Sequence, residues 1–409
     1  VPLRTLRPAP PGPPRRTAAL AVPAVAAALV LTACSGGPLA AVRPAPAFRP
    51  PATPAAATAA PGTAAALRRL VADGAPGAAA LVTRDGRLSA SRYAAAGVAD
   101  LRSGRTMGRR DHFRAGSLTK TFVATVVLQL AGEGRLALDG PAAPYLPPGV
   151  PRTGAGGAND LRRVTVRQLL DHTSGLFNYT EDPRLAARLY GTGFAAHRYD
   201  GYTPAGLLRI ALAHRPTAAP GARYAYSNTN YLVLGLIIRG VTGHPYAEEV
   251  RRRILEPWGL RDTSFPGGSP ALPAPHGRGY SLIGGRSVDS TDLNPSRAGA
   301  AGEMITTLGD LNRFFAALLS GRLLAPRQMA QLRSERATGG TYGLGVYATR
   351  LPCGVTVWGH NGDINGSYAQ TAGTPDGRDL VSYRVNTDAP AGRADGTAVL
   401  TAEFCRRRA

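Results

Sequence analysis

The chain has 409 residues, enough for one large two-lobed unit, and its 44% hydrophobic content suffices to bury a proper core. The formal net charge of +22 favours anionic surroundings. No compact basic run with interleaved aromatics accompanies it, so no nucleic-acid partner is expected, and no Cys, His and carboxylate cluster has metal-ligand spacing.

The first 33 residues carry Arg4, Arg7, Arg15 and Arg16, then an apolar run from Thr17 to Leu31. This is the pattern of a secretory signal peptide, too short and too broken by Pro23 to span a membrane. Leu31-Thr32-Ala33-Cys34 resembles the bacterial lipobox, which would leave Cys34 as a lipidated N-terminus and the only membrane attachment. Pro, Ala, Gly and Thr dominate as far as residue 63, as in an extended tether, and the globular part is expected over 64–409.

Residues 65–73 look helical, and 78–84 and 87–97 look like strands paired around Asp85-Gly86. Thr119–Glu133 is a strongly apolar helix closed by glycines. From about 140 to 320, helical segments at 166–172, 204–214, 230–242, 247–255 and 308–320 alternate with Gly- and Pro-rich loops. Strand-like runs follow at 342–349, 355–359, 367–374 and 380–386, then a last helix over roughly 397–406. Strands at both ends with helices between imply an α+β fold: one sheet assembled from both termini, flanked by helices, with an inserted helical lobe. In an oxidising exported setting, Cys353 and Cys405 are the candidate disulfide.

Of the 48 basic residues all but one are Arg, and the single Lys is Lys120. Arg keeps its proton at any working pH, whereas a desolvated Lys can lose one and act as a base. Lys120 closes the run Ser117-Leu118-Thr119-Lys120 at the start of the apolar helix. Three-residue spacing puts amine and hydroxyl on one helix face, beside backbone N–H groups that favour an oxyanion. Taken singly, the same Ser is also a plausible helix cap. Tyr226-Ser227-Asn228 follows, offering a phenol that can relay a proton and an amide with both donor and acceptor. His360-Asn361-Gly362 then comes at a strand end, where an imidazole could bind a carboxylate and help move protons, or where the chain simply turns. His172 reads as a structural turn residue. Gly343–Ala348 imitates a dinucleotide fingerprint without the required helix behind it, and no Gly-x-Ser-x-Gly elbow occurs.

With Ser-x-x-Lys, Tyr-x-Asn and His-x-Gly in this order, the chain resembles the serine β-lactamase and D-alanyl-D-alanine carboxypeptidase superfamily, in the branch that holds the class C β-lactamases. The runs Val164–Leu176, Leu255–Leu260 and Ala301–Thr307 extend the likeness from about residue 64 to 405. The resemblance implies a β-lactamase/transpeptidase-like fold with Ser117 as nucleophile, and Lys120 and Tyr226 handling its proton. It also implies that Asn228 steadies the substrate amide, and that the backbone N–H groups of Ser117 and Asp363 hold the oxyanion. His360 stands where the family commonly has Lys, and Asn361 where Thr is commoner; Gly362 lets strand approach nucleophile. The expected activity is a D-Ala-D-Ala carboxypeptidase on cell-wall peptide, penicillin-binding, monomeric and without cofactor or metal. A β-lactamase, an esterase or a non-catalytic wall-peptide sensor are the alternatives.

Overall fold

The computed structural model describes residues 61–154, 159–389 and 396–405; the leader, Cys34 and nearly all of the tether lie outside them. Helix α1 (Pro61–Ala72) opens on a Pro, which sacrifices no hydrogen bond at a first helical position, so residues 61–63 belong to the fold and not to the tether. Strands β1 (Gly77–Thr83) and β2 (Arg92–Gly97) follow, with a short 3-10 turn at Leu88–Ala90 between them. Asp85 and Gly86 both take left-handed backbone, at φ of 53° and 71°, as a primed turn requires. The loop is nevertheless longer than a tight hairpin, because Val82 pairs with Arg92.

The short β3 (Phe113–Arg114) leads into a 3-10 turn at Gly116–Leu118 and then α2 (Thr119–Gly132). Helix α2 is apolar around nearly its whole circumference, so it lies in the middle of the core and not on its surface. The inserted lobe contains α3 (Val166–Leu170), α4 (Pro183–Leu189), α5 (Phe194–His197), α6 (Pro204–Ala213), α7 (Asn228–Thr242) and α8 (Tyr246–Val250). Next come the hairpin β4 (Tyr280–Ile283) and β5 (Arg286–Asp289), then β6 (Ile305–Thr306) paired with β3. Helices α9 (Leu308–Leu319) and α10 (Pro326–Leu332) precede β7 (Tyr347–Arg350), β8 (Thr356–Ile364), β9 (Ser367–Gly373), β10 (Leu380–Val385) and α11 (Gly396–Phe404).

The main sheet is antiparallel in the order β2-β1-β10-β9-β8-β7, so strands from both ends of the chain meet at the β1–β10 seam. Alternate residues of β1 divide between two cores. Ala79 and Leu81 join the large core with Phe122, Val126, Phe314 and Phe315. Ala78, Ala80 and Val82 join the smaller one with Leu67, Leu70, Val399 and Leu400 of α1 and α11. The terminal helices are tied polarly as well: Thr63 Oγ1 donates to Glu403 Oε2 at 2.6 Å and Arg84 Nε to Glu403 Oε1 at 2.9 Å. A Cys353–Cys405 disulfide joins the β7–β8 turn to the end of α11.

Two strand expectations need correction. Residues 342–346 are not strand; a Cβ on Gly343 would stand 2.3 Å from Leu332 O, and Gly345 has a φ of +86°, so both glycines serve close approach to helices instead. Strand β8 does not stop at Gly359 but runs on to Ile364, so His360-Asn361-Gly362 is extended strand and not a turn. Its continuation is paired residue by residue with β9, and the chain reverses only at Asn365-Gly366.

Candidate active site

Three segments converge at the start of α2. Gly116, at φ +52°, lets the chain pass from β3 into the 3-10 turn that bears Ser117. Thr119 Oγ1 donates to Gly116 O at 2.7 Å and accepts from Met304 N at 3.2 Å, so the turn is fastened to the segment leading into β6. Strand β8 lies directly against it. A Cβ on Gly362 would fall 1.8 Å from Ala115 O, and one on Gly116 would fall 2.6 Å from Asp363 N. No side chain fits at either position, and the absence of two Cβ atoms brings the backbones of Ser117 and Asp363 together.

Ser117 Oγ is 2.9 Å from Lys120 Nζ and 2.9 Å from Tyr226 Oη. Lys120 is fully buried and has two further partners, Asn228 Oδ1 at 2.8 Å and Ala301 O at 2.6 Å. Burial holds its pKa well below the usual lysine range. The partners decide what a neutral amine does here. Asn228 Oδ1 and Ala301 O can only accept, so they take its two N–H bonds, and the lone pair is left to face the Ser117 hydroxyl. Tyr226 goes the other way: burial raises its pKa, so the phenol stays protonated and donates to Ser117. Of the two groups touching the serine, only the amine, once neutral, has a lone pair to offer its proton.

The Tyr226–Asn228 segment is held from below. Asn228 N donates to Asn178 Oδ1 at 3.1 Å and Asn228 Nδ2 to Thr180 Oγ1 at 3.3 Å. His172, at φ +61° and fully buried, accepts from Ser227 N at 3.2 Å and packs against the Tyr226 ring at a tilt of 34°, with centroids 4.2 Å apart. It is therefore more than a turn residue, because it supports the phenol. Asn228 contacts Lys120 in this resting arrangement, a role its motif does not by itself specify.

His360 is 2% exposed, with Nε2 2.7 Å from Tyr342 Oη and Nδ1 against Asn361 O. The carbonyl can only accept, so Nδ1 carries the proton and Nε2 accepts from the phenol. Burial, with a smaller push from Lys120, holds its pKa down to about 3. The imidazole is thus neutral with both nitrogens engaged, and it offers a substrate carboxylate no cation. Asn361 Oδ1 accepts from Tyr347 Oη at 3.1 Å, while its Nδ2 makes no hydrogen bond among the described residues. The Asp363 side chain is exposed beside the serine turn.

Three partners had no usable signal in the motifs. Ala301 O is a backbone atom. Tyr342 and Tyr347 lie on a segment whose side chains say nothing of their neighbours until β7 and β8 are paired. Among the described residues no group of His, Cys, Asp and Glu could hold a metal ion, and no helix is long and apolar enough to cross a membrane.

A serine flanked by a buried amine and a phenol, at a helix start under a sheet edge, defines a serine hydrolase of the β-lactamase/transpeptidase-like fold. The chain matches the Beta-lactamase family over residues 63–405, and it belongs to that family. It is 37% identical over 206 residues to esterase EstB of Burkholderia gladioli, a match covering 50% of this chain and 49% of the esterase. That match therefore spans about half the length of the relative. A crystal structure of a D-stereospecific amidohydrolase from Streptomyces sp. is 45% identical with a TM-score of 0.77, covering 84% of this chain and 98% of that one. D-amino acid amidase from Ochrobactrum anthropi SV3, complexed with L-phenylalanine amide, is 26% identical with a TM-score of 0.69, covering 83% and 97%.

Proposed function

We propose that the protein hydrolyses an amide bond on the carbonyl side of a D-amino acyl residue, through an acyl-enzyme on Ser117. The observation that carries the chemistry is the set of partners on Lys120 Nζ, which leaves its lone pair for the Ser117 proton alone. Ser117 Oγ attacks the carbonyl carbon as its proton passes to Lys120, and the new ammonium keeps Asn228 Oδ1 and Ala301 O as acceptors. The backbone N–H groups of Ser117 and Asp363 take the oxyanion. The proton then reaches the leaving nitrogen by way of Tyr226, the C–N bond breaks, and water releases the acid by the reverse path.

The likeness to a D-stereospecific amidohydrolase and a D-amino acid amidase supports D-amino acyl amides as the substrate class. The neutral, doubly engaged His360 supports it too, since a carboxypeptidase gains from a fixed cation for the substrate's terminal carboxylate. This reading replaces a dedicated D-Ala-D-Ala carboxypeptidase as the first choice and keeps it as the second. The Asn361 amide, whose Nδ2 has no partner among the described residues, favours that second reading, because it could donate to a carboxylate.

Steady-state rates on D- and L-phenylalanine amide and on an acylated D-Ala-D-Ala peptide separate the two. The proposal expects kcat/KM for the D-amide to exceed that for the L-amide and for the peptide by at least about tenfold. Preference for the peptide would overturn it in favour of the carboxypeptidase. We place the enzyme outside the cytoplasm, anchored through Cys34; this rests on the sequence of residues 1–34, and the disulfide supports an oxidising compartment.

A further inference from the structure

Beside β3, a cavity of about 20 Å³ is lined by Arg114, Thr291, Asn365, Ser367, Arg384 and Asn386, among others. That is room for one or two water-sized particles. Arg114 is 3% exposed and Arg384 4%. Arg114 spends Nε and Nη2 on the carbonyl oxygens of Thr291 and Pro270, while its Nη1 has no partner. Arg384 pairs with Asp111 at 3.1 Å, yet its Nε is also unpartnered. Asp111 is shared with Arg105, at 3.0 Å, so one carboxylate serves two guanidinium groups. Arg114 itself forms no close ion pair among the described residues; the Asp292 carboxylate favours its charge only at longer range, against the push of Arg297 and Arg198. Arg297, which is 3% exposed and close enough to depress the basicity of Arg114, forms no close ion pair among them either.

A guanidinium cannot shed its proton to escape this situation. Buried charges are stable when paired, and a solitary one is far more costly than a solitary neutral donor. We infer that the cavity binds a small monatomic anion of the chloride class, held by Arg114 Nη1 and Arg384 Nε. Asn386 Oδ1, unpartnered as well, takes a donor from a water beside it. A space of this size suits a monatomic anion better than sulfate or phosphate. The anion would stiffen the catalytic frame, since Arg114 lies three residues before Ser117 and Ser367 Oγ, at the start of β9, donates to Arg114 O at 2.7 Å.

The test is melting temperature in sodium chloride, sodium bromide and sodium gluconate at one fixed ionic strength, together with bromide anomalous diffraction from crystals of the unmodified protein. The halides should raise Tm by about 2–4 °C over gluconate, with an anomalous peak between Arg114 and Arg384. Arg114→Gln should abolish the halide response. Equal melting in all three salts, with only water in the cavity, would overturn the inference. Should Arg114→Gln fail to fold, the readings on the unmodified protein decide, and neither depends on the substrate.

Discussion

Lys120 and Tyr226 meet the same oxygen from two sides, and burial acts on them in opposite directions. Desolvation disfavours the charged form of each, so it frees the amine of its proton and keeps the phenol's in place. Because the folded pKa of Lys120 is depressed, the active neutral amine prevails above that value and disappears as pH falls through it. Acylation should therefore be lost as pH falls through that depressed pKa and be retained above it. Lys120→Arg keeps the positive charge but cannot supply a lone pair, so it should cut the acylation rate by about 10³-fold or more at every pH. Stopped-flow measurement of acylation with a chromogenic ester checks this; a rate within tenfold of the parent would remove Lys120 from the role of base. The lone Lys among so many Arg was already visible in the sequence. Its acceptor on Ala301 was not, because a backbone carbonyl leaves no mark in the residue types.

At the scale of elements, the site depends on β8 lying against the nucleophile turn. Gly362→Ala would set a Cβ 1.8 Å from Ala115 O and 3.0 Å from Leu118 N. Strand and turn must then part by an ångström or more, and kcat/KM should fall about 100-fold while the protein still folds. Kinetics beside a thermal melt separate the two effects, and unchanged kcat/KM would show that this contact does not set the oxyanion geometry. The same strand shows where sequence reading stops. Asn361, Gly362 and Asp363 are poor strand formers, so the pattern ends at Gly359. Pairing with fully buried β9 carries the strand five residues further. Other omissions did carry signals: Ile283-Gly284-Gly285-Arg286 is a two-residue hairpin loop, and Asp182-Pro183 is a helix cap followed by Pro at the first position. By contrast, the Ser-x-x-Lys, Tyr-x-Asn and His-x-Gly motifs were legible because each keeps its chemistry within four residues. Only the fold could show that His360 Nε2 meets the Tyr342 hydroxyl.

For the whole molecule, the sheet built from both termini makes its closure a long-range problem, and the disulfide and the Glu403 cluster fasten the last helix to it. The Cys353–Cys405 bridge closes a separation of 52 residues, which in the chain-entropy model stabilises by about 4 kcal/mol. Replacing both cysteines by Ser should lower the urea unfolding free energy by about 2–4 kcal/mol and leave kcat at 25 °C nearly unchanged, because Ser117 lies on the other side of the sheet from α11. A loss of activity without a loss of stability would contradict this division between scaffold and site. The central claim is that Ser117 carries the acyl group, and intact-protein mass spectrometry tests it most directly, with benzylpenicillin and with a D-phenylalanine ester as acyl donors. A gain of one acyl group is expected, mapped to the peptide that contains Ser117 and absent from Ser117→Ala. Substrate turnover by Ser117→Ala at the parent rate, or an adduct that persists in that variant, would contradict it.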